Sequence, residues 1–445
     1  MLEARTVAIV GASARPGSFG ERLVREVTRS PSAPTVHLVN PRYDAVLGRP
    51  CFDSLDDVPG PVDLVLLGIG DAALENYLSA AAARGDRATI VFGSAWSPPS
   101  PDEPPLGERL ARTARAAGMA LCGAGCMGFV NVARGLRAIG YLERPHLPRG
   151  PVAFVSHSGS AFSAFLRSHR GIGFSLAVSS GQELVTTTAD YLDYALELDE
   201  TRVVALLLET VREPERLRAA LDRAAGRDIP VVLLAVGGSP AGTHLVTAHS
   251  GALAGTDAAW EALAEAHGLR RVEDLDEMAD LLELLAAGRR VRPATGSAAR
   301  SGIATVHDSG AERVLVADVA HRLGVPFAAL SEVTNKRLAG LLDPGLVPGN
   351  PLDVWGRGAD TRVLFASCLT TLAEDAAVSV VALAVDLVTE YDGDESYPLA
   401  ALDAHAATSK PVVLLSNMAS ALDQHWAARL RESGVPVLEG TRSGL

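Results

Sequence analysis

Short apolar runs ending in Gly, Ser or Asn alternate along this chain with longer stretches of Ala, Leu, Arg and Glu at helical period. Strand–helix–strand units that assemble parallel sheets leave this pattern, because each strand is covered on both faces and each crossover helix on one. Val7-Ala-Ile-Val-Gly11, Val36-His-Leu-Val-Asn40, Val62-Asp-Leu-Val-Leu-Leu67 and Ala88-Thr-Ile-Val-Phe92 predict one sheet, with amphipathic segments such as residues 107–117 between its strands. The pattern gives a first domain over residues 1–148. A second, 149–288, opens with Val152-Ala-Phe-Val-Ser156 and continues through Val203-Val-Ala-Leu-Leu-Leu-Glu209 and Val231-Val-Leu-Leu-Ala-Val236. It closes on an acidic, Leu-rich helix at residues 275–287. Residues 288–301, rich in Arg, Ala, Gly and Pro and without periodicity, read as a linker. A third domain, 301–445, repeats the grammar with strands at Ile303, Val378 and Val412. It stops soon after Val435-Pro-Val-Leu438 with no closing helix, as a subunit or the front portion of a longer fusion would.

Composition narrows the reading. Of 445 residues, 48% are apolar and only 5% aromatic, the aliphatic balance of parallel sheets, and one core stops growing near ~250–300 residues. Apolar runs such as 203–208 fall well short of the ~20 residues that span a bilayer, and Met1-Leu-Glu-Ala-Arg-Thr6 lacks a signal-peptide layout because a strand begins at Val7. No membrane partner is expected. The four cysteines, Cys51, Cys122, Cys126 and Cys368, do not make a disulfide scaffold and suit a reducing cytoplasm. Cys122 and Cys126 lack a second Cys/His pair at zinc spacing, so no metal site is expected in the chain. A net charge of −13 argues against a nucleic-acid surface. Anions must then be bound locally.

Two glycine-rich loops offer places for them. Gly11-Ala-Ser-Ala-Arg-Pro-Gly-Ser-Phe-Gly20 joins a strand to a helix, where free main-chain N–H groups face an anion and glycines allow close approach. The spacing is not the dinucleotide fingerprint, and the acid expected at an adenosine ribose after the second strand is replaced by Asn40-Pro41-Arg42. A cation there suits an extra ribose phosphate, as in CoA or NADP, and opposes NAD; a tight turn with a solvated arginine is the plain alternative. The second loop, Ser156-His-Ser-Gly-Ser160, puts Ser158, Gly159 and Ser160 at a helix start. Its His157 reads as a structural strand-end histidine more readily than as a base.

Further on, Ala248-His-Ser-Gly-Ala-Leu-Ala-Gly255 sets His249 before a small-residue loop. Taken alone this is a capping or core histidine. A neutral imidazole is nevertheless a competent nucleophile toward an acyl phosphate when a carboxylate holds its tautomer. Glu209, ending the apolar strand Leu206-Leu-Leu-Glu209, is the candidate, because an acid there has little packing reason unless it faces a cleft.

Over nearly its whole length the chain resembles the NDP-forming acyl-CoA synthetases, relatives of succinyl-CoA synthetase. Gly11-Ala-Ser13 and Asn40-Pro-Arg42 are similar to that family's Gly-Ala-Ser and Asn-Pro-Lys, with charge kept at Arg42. Ser156-His-Ser-Gly-Ser160 stands where the family has Ser-Gln-Ser-Gly-Ala, with His157 in place of Gln. Residues 248–255 match the phosphohistidine motif Ser-His-Thr-Gly-Ser/Ala-Leu-Ala-Gly, the most specific of the matches. Gly123-Ala-Gly-Cys-Met-Gly128 departs at two positions from Gly-Pro-Asn-Cys-x-Gly, and Gly349-Asn-Pro-Leu-Asp353 resembles Gly-Asn-Pro-Val-Asp.

The resemblance implies an α/β fold of three Rossmann/flavodoxin-like parallel-sheet domains in tandem. It implies a CoA site at Gly11, Ser13, Arg15, Ser18, Gly20, Asn40, Pro41 and Arg42, a phosphate site at Ser158, Gly159 and Ser160, and catalysis by His249 with Glu209. The implied reaction is acyl-CoA + phosphate + NDP ⇌ carboxylic acid + CoA + NTP, through an acyl phosphate and a phosphohistidine. ADP/ATP and Mg would sit on an ATP-grasp domain or subunit that this sequence lacks, in a homo- or hetero-oligomer. Acetate, a branched-chain acid and an aromatic acid are equally open as the acyl group. A non-catalytic CoA-sensing protein of the same fold is the main alternative; a nicotinamide dehydrogenase is disfavoured by the first loop.

Overall fold

The computed structural model describes residues 1–250, 255–291, 301–355 and 360–445, with residues 247–250 described in main chain only. Among these, three sheets form. The first has the order Ala45–Val46, Arg49–Phe52, Thr35–Val39, Thr6–Val10, Leu64–Leu67, Ala88–Val91, Ala120–Gly123, parallel except for the edge hairpin at residues 45–52. Val7, Ala8, Ile9 and Val10 are all buried. A central strand covered on both faces has no solvent side, which is why it reads as a continuous apolar run. The following helix, Phe19–Thr28, turns Leu23, Val24 and Val27 inward, carries Glu21 in its first turn and Arg25 in its last, and starts from a Ser18 cap. Each placement suits the helix dipole and its unpaired ends.

The second sheet has the order Arg270–Arg271, Val231–Ala235, Val203–Leu208, Arg149–Ser156, Phe174–Ser179, Gly128–Asn131, Leu136–Ile139. Its last two strands are antiparallel and precede residue 148, where the sequence pattern ends the first domain. The difference has a local cause. Both strands are four residues long and follow a glycine-rich turn, so nothing in their own pattern says which sheet they join. One continuous apolar cluster runs through both sheets, from Val7 and Ile9 to Val155 and Leu206. The buried Glu26 carboxylate, from the first sheet's helix, accepts from Arg137 Nε of the hairpin at 2.9 Å.

The third sheet is parallel: Leu352–Asp353, Gly302–His307, Val378–Ala384, Val412–Ser416, Val437–Glu439. A single helical turn, Thr441–Gly444, follows it where the sequence reads no helix. The chain divides into two compact units, residues 1–168 with 172–273, and residues 169–171 with 274–445. The helix Leu275–Ala286 therefore belongs with the third sheet and does not close the second, as its sequence position suggests. Its acids explain the allegiance. Glu283 accepts the Val437 N–H at 2.6 Å and Arg431 Nε at 2.8 Å, Asp280 accepts the Glu439 N–H at 2.8 Å, and Leu284 packs against the cluster of Val316, Leu415 and Leu438. Arg170 pairs with Asp280 and lies 3.6 Å from Glu283 and 3.7 Å from Glu439. Burial pushes the Glu283 carboxyl above its ordinary value despite both arginines. No helix among the described residues is long and apolar enough to cross a membrane.

The Arg170 side chain is 7% exposed and that of Asp280 2%, so Arg170→Ala leaves buried carboxylates with too few cations. Breaking such a network by removing one partner costs about 3–5 kcal/mol. Urea unfolding of the full chain should show that loss in the transition of the second unit. A shift below about 1 kcal/mol, as for a surface pair, would mean that the network is hydrated.

Candidate functional site

Each sheet has one strand from which the next element joins on one side and the one after it on the other: Thr6–Val10, Arg149–Ser156 and Gly302–His307. Ligands enter open parallel sheets at the carboxyl ends of such strands, because the diverging connections leave a crevice there.

At the first crevice the chain turns through Gly11, whose φ of +89° only glycine adopts easily. A Cβ on Gly11 would lie 2.4 Å from the Gly68 carbonyl oxygen, and one on Gly20 would lie 2.0 Å from the Gly11 oxygen. The two glycines thus seat the helix start directly on the strand end. Ser18 Oγ accepts the Glu21 N–H at 3.3 Å and Ser13 Oγ the Arg15 N–H at 3.1 Å. The N–H groups of Phe19 and Gly20 have no acceptor among the described residues. Asn40 Nδ2 donates to the Ala12 oxygen at 2.7 Å and its Oδ1 accepts the Arg42 N–H at 3.1 Å, so Asn40 clamps the second strand's end onto the loop. Arg15, Pro41 and Arg42 are exposed around it. Gly68, absent from the sequence reading, is the residue missed here; the signal was the Gly68-Ile-Gly70 that precedes the helix Asp71–Arg84.

At the second crevice Ser158 caps the helix Gly159–Arg167 by accepting the Ala161 N–H. This leaves the Gly159 and Ser160 N–H groups without an acceptor among the described residues. A Cβ on Gly159 would lie 2.6 Å from Met127 Cγ. His157 is buried, and its Nδ1 accepts the main-chain N–H of Glu209 at 3.1 Å. That bond assigns the ring proton to Nε2. Nε2 lies 3.1 Å from Glu183 Oε1, off the line of good hydrogen-bond alignment. Glu183 is a residue the sequence reading passed over. It is 3% exposed, sits at a φ of +52°, and accepts from Ser180 Oγ at 2.9 Å and Thr188 Oγ1 at 2.6 Å. Burial works to raise this carboxyl, but the His157 ring and the Thr188 hydroxyl outweigh it and hold it below its ordinary value. The structure thus brings Ser158, Gly159, Ser160 and the half-buried Glu209 together through His157. His249 falls in the helix Pro240–Ser250, and its side chain lies outside the described residues.

The third crevice has the same geometry and the opposite charge. Ser309 caps the helix Gly310–Leu323, yet Asp308, Glu312, Asp353 and Asp386 gather there. Burial first, and then neighbouring carboxylates, hold Asp308 and Glu312 above their ordinary values. Among the described residues, no group of His, Cys, Asp and Glu side chains is placed to hold a metal. Cys122 and Cys126 lie with their sulfurs 4.0 Å apart, and the Cys122 contact with burial raises the Cys126 thiol.

Residues 5–132 match the family described as CoA binding domain, and residues 149–285 the succinyl-CoA ligase like flavodoxin domain. The acetate–CoA ligase [ADP-forming] I of Archaeoglobus fulgidus is 27% identical over 379 residues, covering 85% of this chain and 53% of the relative. The alpha subunit of the Pyrococcus furiosus acetate–CoA ligase [ADP-forming] II is 25% identical, covering 98% and 93%. The chain spans about half the length of the first of these relatives. A solved dinucleotide-forming acetyl-coenzyme A synthetase 1 of Ca. Korarchaeum cryptofilum, in complex with phosphate and ADP, shares the fold with a TM-score of 0.81. It is 20% identical and covers 99% of this chain and 93% of that one.

The closure of the first loop can be tested without any ligand. Gly20→Ala should destabilise the first unit by about 1–3 kcal/mol in urea unfolding, since the Gly11 main chain and the Ser13 Cβ resist the new methyl. A neutral or stabilising result, as for an ordinary helical Gly→Ala, would mean that the loop is not seated as described.

Proposed function

Because the chain belongs to the NDP-forming acyl-CoA synthetases, relatives of succinyl-CoA synthetase, we propose that it performs the CoA and phosphohistidine half of acyl-CoA + phosphate + NDP ⇌ carboxylic acid + CoA + NTP. The observation that most supports this is the second crevice, where open N–H groups at Gly159 and Ser160 stand beside a strand end carrying Glu209. In the first crevice Gly11, Ser13, Ser18 and Gly20 shape an anion seat, with Arg15 and Arg42 at its rim for CoA phosphates; Asn40 and Pro41 set the direction of Arg42.

In the reaction a phosphate oxygen attacks the thioester carbonyl, and CoA leaves as the thiolate and takes a proton. A neutral His249 nitrogen then attacks phosphorus, and the bond from phosphorus to the acyl oxygen breaks to release the carboxylate. Preorganised N–H groups at Gly159 and Ser160, on a helix start that Ser158 caps, meet the charge on the phosphoryl oxygens, while Glu209 keeps the other ring nitrogen protonated. The phosphoryl group passes to ADP or GDP with Mg on an ATP-grasp domain or subunit. The similarity to a chain named as an alpha subunit supports such a partner. We place the protein in the cytoplasm, in a homo- or hetero-oligomer. The acyl group is that of a small-molecule carboxylic acid, and relatives named as acetate ligases and as a trans-feruloyl-CoA synthase keep aliphatic and aromatic acids both open.

Incubation with acetyl-CoA and radiolabelled phosphate should give acid-labile, alkali-stable label that His249→Ala abolishes and Glu209→Gln weakens. A wild-type chain that binds CoA without labelling would instead be a CoA-sensing protein. Calorimetry should show CoA bound in preference to dephospho-CoA and NAD, and Arg42→Ala should cost about 1.5–3 kcal/mol of that affinity. Equal binding of CoA and dephospho-CoA would remove Arg42 from the site.

A further inference from the structure

The strands Arg149–Ser156 and Val203–Leu208 pair in parallel, with Ser156 opposite Leu207. Their ladder continues one rung further, from the His157 N–H to the Leu207 oxygen at 3.0 Å. In a parallel ladder the next bond would take the Glu209 N–H to the His157 carbonyl. It goes to the His157 imidazole instead, at Nδ1. The side chain replaces the main-chain acceptor at the point where the two strands part to open the crevice.

The ring is faced by a held carboxylate on its other side too. Nε2 faces the Glu183 carboxylate, which two hydroxyls hold, and the main chain on both sides of Glu183 is anchored. The Gln182 N–H donates to the Ala124 oxygen and the Leu184 N–H to the Gly123 oxygen, each at 2.9 Å. A Cβ on Gly181 would lie 2.2 Å from that Ala124 oxygen. The Gly123–Gly128 turn, Glu183, His157 and the Glu209 main chain thus form one series of contacts.

We propose that His157, as its Nε2–H tautomer backed by Glu183, is the positioning residue that sets where the Glu209 side chain leaves the strand. The proposal rests on the reading of Glu209 given above for its bearing on catalysis, but not for its structural content.

Three measurements on the full chain test it. Histidine nitrogen NMR, with the signal assigned by its loss in His157→Gln, should show Nδ1 unprotonated and Nε2 protonated at neutral pH; an Nδ1–H tautomer or an imidazolium overturns the proposal. Hydrogen exchange of the Glu209 amide should be slow in the wild type and in His157→Gln, whose amide oxygen can accept the same bond, and at least about tenfold faster in His157→Leu. Equal exchange in all three overturns it. In single-turnover labelling His157→Gln should stay near the wild-type rate and His157→Leu should fall about tenfold or more, with CoA affinity unchanged in both. Labelling by His157→Leu at the wild-type rate overturns the positioning role. A wild-type chain that never labels overturns the phosphohistidine reading instead, and the NMR and exchange results still decide this one. If His157→Leu does not fold, the tautomer in the wild type remains decisive.

Discussion

A parallel sheet built outward in both directions from one strand can open only where the outgoing connections diverge, at that strand's carboxyl end. The rest of the site depends on this constraint. Thr6–Val10, Arg149–Ser156 and Gly302–His307 each occupy that position, and each leads into a helix whose first N–H groups have no partner within the helix. Fold alone therefore supplies three similar openings. What distinguishes them is the handful of residues that follow each strand.

Those residues divide the openings by charge. A helix start carries the equivalent of roughly half a positive charge, and small residues at Gly11, Ser13, Ser158 and Gly159 let an anion reach it. At the first, Arg15 and Arg42 are exposed and add to the field. In the third opening the same helix start faces Asp308, Glu312, Asp353 and Asp386, and two of these acids are held above their ordinary values. An anion placed there would meet carboxylates before it met N–H groups. Equivalent topology does not make three equivalent sites.

How far the sequence could be read follows from the range of the interactions involved. Strands buried on both faces announce themselves as apolar runs, so Thr6–Val10, Arg149–Ser156, Val203–Leu208 and Gly302–His307 were legible, whereas Phe174–Ser179, equally buried but interrupted by Ser175, was not. The residues 128–139 were not, because a four-residue strand carries no label for the sheet it joins. Nor was the allegiance of the helix Leu275–Ala286, which is decided by Asp280 and Glu283 meeting Arg170 and Arg431 from remote parts of the sequence. Asn40 was legible as the residue that ends the second strand, but its local use was not: its amide is turned inward onto Ala12. Glu183 escaped notice because its partner His157 lies 26 positions away and it stands in no strand or helix.

His157 shows how a departure from a family pattern acquires sense only in three dimensions. A glutamine presents an acceptor and a donor on one planar group; a neutral imidazole does the same on a rigid ring, with Nδ1 accepting and Nε2 donating. The exchange keeps the bonding pattern but sets the two contacts at a wider angle and requires a group to face Nε2. Glu183 is there, on a main chain whose φ of +52° is strained for a non-glycine residue, typically by about 1–3 kcal/mol. Such strain persists only where neighbouring contacts over-determine the conformation. The bonds to Ala124 and Gly123 and the hydroxyls of Ser180 and Thr188 do so here. The turn at residues 123–128 and the histidine at 157 therefore belong to a single support, and the place where Glu209 leaves its strand is fixed by that support rather than by the sheet ladder itself.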